Sequence, residues 1–191
     1  MDDGSAKRVL FKSDDDWTHN ACMCYKSWTA YADGYKEAAD RLTQSVMQDR
    51  FMLDVLVYPI VFLYRHWLEL RLKEIIDQGQ KLVEELIELP HRHDLMTLWT
   101  HATNIVLRIW PKTDRTELQE ITSIVREFHR VDPASMTFRY GSDKKGSDNL
   151  PDDISHINIR NMRDQLEKVA VHVDGAAFGI GHMLGEIGQN P

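Results

Sequence analysis

Arg65, Glu69 and Lys73 follow one another at i, i+4 and i+8 inside the apolar segment Tyr58–Ile76, with His66 beside them. On a helix this spacing stacks the three charges in one row. A histidine and a carboxylate can move protons, and an arginine can hold a phosphate. The row lies between two apolar faces. Leu56, Ile60, Leu63, Trp67 and Leu70 form one, and Val61, Tyr64, Leu68, Leu72 and Ile75 the other. Such a helix is packed on both sides, so its charges must be paired or must meet a ligand.

Two further groups carry chemistry. His91, His93 and Asp94 are close in sequence, and Asp94 reads as a helix cap. Arg139, Tyr140 and Asp143 belong to a long irregular stretch, 132–155, that also holds Lys144 and Lys145. One architectural expectation is a buried pair in which Glu69 anchors this loop through Arg139. The alternative is a reactive set of Arg65, His66, Glu69 and Arg139, in which Arg139 holds a phosphate and His66 serves as acid or base. Lys73, Tyr140, Asp143, His93 and Asp94 would then bind ligand or anchor the loop.

Other chemistries lack support. The phosphate-binding, dinucleotide-binding and nucleophile-elbow glycine motifs are absent. Cys22 and Cys24 read as thiols buried on a helix, since a structural zinc site normally needs four ligands. Neither a resident metal nor any other cofactor is expected. A metal-dependent bundle using His66, His91 or His93 is the weakest alternative.

Hydrophobic periodicity predicts an all-α, up-and-down bundle with one long ordered loop before the last helix. Residues 1–16 read as a mobile polar leader and 17–191 as a single domain. Helices are expected from Trp17 to Met47 and from Arg50 to Asp77, the second kinked or broken at Pro59 and ended by Gly79. A short acidic helix from Gln80 to Leu89 should follow. Three more are expected from His91 to Trp110, Arg115 to Arg130 and Ile157 to Gly185. Met136, Phe138, Tyr140 and Leu150 should anchor the loop.

The 191 residues are 42% hydrophobic with a net charge of −7, enough for one substantial core but not for a generic grip on nucleic acid. No run of about 18 apolar residues suggests a membrane span. The polar N-terminus lacks a signal-peptide core, so a cytoplasmic location is expected.

Three segments together resemble the HEPN superfamily of helical domains. Glu69-Leu-Arg-Leu-Lys73 is similar to the Glu-x-x-Leu-Lys core of its second helix. His93-Asp-Leu-Met-Thr-Leu98 is similar to its His-Asp-Leu-x-x-Leu signature. Phe138-Arg-Tyr140 with Asp143 resembles its Arg-Tyr-Pro-Asp element, with Gly141 in place of proline. The resemblance covers about residues 50–185. It implies a helical bundle, commonly a homodimer, in bacterial toxin–antitoxin or anti-phage systems, binding RNA or a partner protein. Active members cut RNA through Arg-x4–6-His. Here Arg126 and His129 are too close, Arg163 and His172 too far apart, and Arg65 and His66 adjacent. The usual ribonuclease mechanism therefore has no motif in this chain, which leaves a non-enzymatic interaction module as the second expectation.

Overall fold

A computed structural model describes residues 10, 12–13, 15–84, 86, 93–143 and 145–189. Its described residues form five α-helices and no strand: α1 Trp28–Gln48, α2 Leu53–Leu82, α3 Leu95–Ile109, α4 Arg115–Val131 and α5 Ile159–Gln189. The all-α bundle expected from the sequence is the fold. The central element is α2, which contacts α1, α3 and α5. Its apolar residues run around the whole helix, as burial on several sides requires.

The first helix is shorter than its apolar spacing suggests. Trp17–His19 forms one 3-10 turn, and α1 begins only at Trp28, where the Ser27 hydroxyl accepts from the Ala30 amide. Cys22 and Cys24 fall between these elements and are exposed. The expectation of helix-buried thiols is thus wrong. Trp17, Met23 and Tyr25 are exposed too, so no core covers this segment. Once α1 starts, Ala32, Ala39, Thr43 and Val46 form its buried face. Their small side chains let α1 lie close against α2.

Two boundary signals on α2 misled. Pro59 sits inside a continuous helix, and Gly79 does not end it. Proline removes one hydrogen bond near the helix start, but packing of Ile60, Val61 and Tyr64 immediately follows. Gly79 is a close-packing glycine. A Cβ there would lie 2.4 Å from Ile105 Cγ2 and 3.3 Å from Ile180 Cδ1. Of the short helix expected over Gln80–Leu89, Gln80–Leu82 belongs to α2 and Val83–Glu84 form a turn. The rest lies outside the described residues, apart from Leu86. Residues 50–82 also include an 18-residue window of mean hydropathy 1.3, so by length and composition alone this helix could cross a membrane. This corrects the expectation that no segment qualifies, although a soluble protein's core helix passes the same test.

Side-chain caps define the next two helices. The Asp94 carboxylate accepts from the Thr97 amide at 3.0 Å, starting α3 four residues later than expected. Asp114 does the same for α4 through the Thr116 amide at 2.8 Å. The α4 pattern Leu118, Ile121, Val125 and Phe128 is buried, as its spacing predicts.

Residues 132–143 and 145–158 lie on the bundle as an ordered excursion. Asp132 is fully buried, and its Oδ1 accepts from the Met136 and Thr137 amides at 2.7 and 3.1 Å. Phe138 enters the core, and a Ser142–Asp148 bridge closes a small turn. Met136 and Tyr140 are exposed, contrary to the anchoring expected of them.

Candidate functional site

Helix α2 brings Arg65 and Glu69 together as their spacing predicts, both with no side-chain exposure. Arg65 Nη1 donates to Glu69 Oε2 at 3.1 Å. Its Nε donates to the Asp132 carbonyl at 2.9 Å, and its Nη2 to the His93 carbonyl at 2.7 Å. One guanidinium therefore joins α2 to the segments before α3 and after α4. Asp132 Oδ2 adds a charge contact, 3.3 Å from Arg65 Nε. Glu69 Oε1 takes the Lys73 ammonium at 2.7 Å and His93 Nδ1 at 2.8 Å.

The electrostatics suit a structural pin. Burial pushes the Glu69 carboxyl up, but the Lys73 ammonium and the His93 hydrogen bond outweigh it and hold it below the usual carboxylate range. Burial pulls the Arg65 guanidinium below its ordinary value, and Asp132 and Glu69 push back. Both groups are spent on neighbours.

Arg139 is not in this cluster. Its Nε donates to the Ser135 carbonyl, its Nη2 lies 3.2 Å from Met136 Sδ, and its guanidinium sits 5.5 Å from the Phe62 ring and 5.8 Å from that of Tyr140. The predicted Glu69–Arg139 pair is not made, because Arg65 reaches Glu69 from the same helix and the loop holds Arg139 locally. His66 occupies a separate column: its ring stacks on Phe62 at 5.6 Å and meets the Tyr35 edge at 4.4 Å. Burial pulls its imidazole below the usual value, against the pull of Glu69. Of the four residues expected to react together, Arg65 and Glu69 meet directly, whereas His66 and Arg139 share only Phe62.

The remaining candidates divide likewise. Lys73 and His93 are partners of Glu69, and Asp94 caps α3 and lies 3.4 Å from His129. Tyr140 is exposed beside Arg139. Asp143 caps its own turn, accepting from the Lys145 and Ser147 amides at 2.7 and 2.9 Å. His91 and Lys144 lie outside the described residues. Among the described residues, no three His, Cys, Asp or Glu side chains converge as metal ligands.

Sequence reasoning missed a second ionic network. Arg71, with 6% side-chain exposure, reaches Asp33, Glu74 and Asp174 at 2.5, 2.5 and 2.6 Å. Burial pushes the Asp174 carboxyl up despite Arg71. Nearby, Lys36 bridges Asp40 and Glu167, both at 2.9 Å, and the Tyr64 hydroxyl donates to Asp40. The signal available was Arg71 at i, i+3 from Glu74 on an apolar helix. A third feature is a groove of about 390 Å³ whose walls include Ile124, Phe128, Phe138, Met162 and Leu166 and no residue of either network.

Compared with known protein families, with curated proteins and with solved structures, the chain matches none.

Proposed function

We propose that this chain is a HEPN-like helical protein of a bacterial conflict system, toxin–antitoxin or anti-phage, that acts by binding protein and not by catalysis. Its first partner is a second copy of itself, giving a cytoplasmic homodimer. The observation that carries this reading is an uncovered apolar patch that runs from the 3-10 turn Arg50–Met52 into the first turns of α2. Phe51 is 87% exposed, Val55 57% and Tyr58 44%, and the patch ends at the half-buried Phe62, which packs on the core and on His66. Val55 and Tyr58, three apart on α2, share one helix face that Phe51 extends from the preceding turn, and an apolar patch left in water marks an interaction surface. The non-catalytic part rests on Arg65 and Glu69, which are buried and spent on neighbours.

The test is light-scattering mass across a concentration series for the wild type and Val55→Glu. A dimer that Val55→Glu splits into a monomer that stays folded and helical is the expected result. A wild type that stays monomeric rejects the second copy as occupant.

RNA is the second reading, favoured by one observation. Arg139 offers its guanidinium between two rings, Phe62 and the exposed Tyr140. Bases stack on such surfaces. Incubation with total RNA, with Arg139→Ala as control, separates the readings. Cleavage or retention that Arg139→Ala removes without unfolding would support a non-standard RNA site using His66 and Arg139. Unchanged RNA leaves the protein-binding reading.

A further inference from the structure

Helix α5 carries a second uncovered face, toward the other end of the bundle from Phe51 and Tyr58. Gly79, near the end of α2, packs on Ile180, whereas Leu53 at its start shares a groove with Ile157 and Arg160. The two helices thus run side by side in one direction. On α5 the face is Val171, Gly175, Phe178, His182 and Gly185, all exposed and alternately four and three residues apart. Val171 is 73% exposed and Phe178 78%. Alternating steps of three and four make the seam by which two helices pair.

The seam has shape as well as apolar character. A Cβ at Gly175 or Gly185 would meet nothing within 4 Å, whereas Gly179 already lies against the Trp110 ring. Gly175 is therefore a hollow beside the bulky Phe178. Val171 and Gly175 also edge a groove of about 290 Å³ that has Trp99, Val106 and Trp110 in its walls. A knob and a hollow three residues apart fit a copy of the same helix run in the opposite direction. Symmetry about the point midway between them sets each Phe178 over the partner's Gly175.

Charge agrees with that register. Lys168 and Glu186 are exposed and separated by five helical turns, so they stand in one row on one flank of the seam. A two-fold axis through an antiparallel pair brings each flank against the same flank of the partner. The register that seats Phe178 places each Lys168 within one residue of the partner's Glu186, at both ends of the seam. Among the described residues Lys168 makes no ion pair, and Glu186 meets only His182 Nδ1, at 3.8 Å.

We propose that α5 pairs antiparallel with α5 of a second copy, with Phe178 of each chain seated over the partner's Gly175 and a Lys168–Glu186 pair closing each end. One helix face per chain makes a small interface, at or below about 1,200 Å² in total, where association is weak. It forms at higher concentration than the α2 contact and joins dimers into larger assemblies. The inference goes beyond the α2 patch and stands without it.

The test is sedimentation velocity on the full chain carrying Val55→Glu, which removes the α2 contact, over a series reaching about 1 mM. Circular dichroism follows the fold. This chain should pass from monomer to dimer as concentration rises, and adding Phe178→Glu should abolish the dimer without loss of helix. Lys168→Glu and Glu186→Lys should each weaken pairing about 10-fold, because a symmetric pair carries each change twice. The two together should restore it. Within one chain these residues are about 27 Å apart, so only a partner can link them. A chain already paired at low concentration and split by Phe178→Glu would support this contact and reject the α2 patch as the first one. No pairing at any concentration reached, pairing that survives Phe178→Glu, or charge swaps that fail to compensate would each overturn the proposal.

Discussion

The two halves of α2 invert the usual distribution of residues. Between Arg65 and Glu74 the helix carries Arg65, Glu69, Arg71, Lys73 and Glu74, yet all but Lys73 are buried. Before Ile60 it is mostly apolar, yet Val55 and Tyr58 lie in water. The charged half is tolerable inside because each charge has partners. Arg65 alone makes three hydrogen bonds, to Glu69, Asp132 and His93. Leu53, Leu56 and Val57 of the apolar half pack against the core, but Val55 and Tyr58 find no such cover within one chain. The comparison teaches that burial here follows available partners, and that residue type alone does not predict it.

The comparison breaks most visibly at Arg65. Arg65→Ala leaves Glu69 and two carbonyls without their donor, and breaking a buried pair costs about 3–5 kcal/mol. Thermal denaturation should then show a melting temperature lower by about 6–20 °C. A fall of only a degree or two would mean that the pair is weakly coupled to the fold. Gly79→Ala comes next. With Ile105 Cγ2 2.4 Å from the new methyl, overpacking should cost about 1–3 kcal/mol. Urea denaturation measures it, and an unchanged midpoint would show that Ile105 moves aside freely.

A pH series probes the same half more gently. The folded state holds Glu69 and His66 below their ordinary values of 4.5 and 6.5. The unfolded chain therefore binds more protons, and stability rises with pH across these ranges. His66 contributes fully above about pH 6.5, and its share fades as pH falls toward its folded value. Glu69 loses its share at still lower pH. Replacing His66 by Phe should flatten the upper part of the melting curve between pH 7 and 5. An unaltered slope would assign the loss to other groups.

On the exposed half the expected stability effects are smallest. Arg139→Ala removes ring contacts worth about 0.5–1 kcal/mol at an exposed site, so its melting point should drop by a few degrees at most. A larger drop would show that the loop depends on Arg139 after all. Val55→Glu should change monomer stability by less than about 0.5 kcal/mol while altering the mass in solution.

Much of this was legible in the residues. The i, i+4, i+8 row gave Glu69 both of its helical partners, and the α4 pattern gave its buried face. The caps at Asp94 and Asp114 were readable because they act within three residues. Contacts made across the chain were not. Asp132 lies 67 residues from Arg65, and nothing local marks a loop-start aspartate as the group that meets a distant guanidinium. Gly79 looked like a helix end because glycine is common there. Its true role depends on Ile105 and Ile180, on two other helices. The Cys22–Cys24 segment seemed helical from apolar spacing alone, but periodicity cannot say whether a core exists to receive the face.

Arg65 also bears on the order of events in folding. Its three acceptors come from its own helix, from His93 28 residues on and from Asp132 67 residues on. Burying the guanidinium before both distant segments arrive would strand a charge away from water, so this contact should close late, after the helices have docked. A late contact governs how fast the native state is lost more than how fast it forms. In stopped-flow measurements, Arg65→Ala should steepen the loss mainly on the unfolding limb and leave refolding nearly as fast as in the wild type, making this residue a latch on the lifetime of the fold.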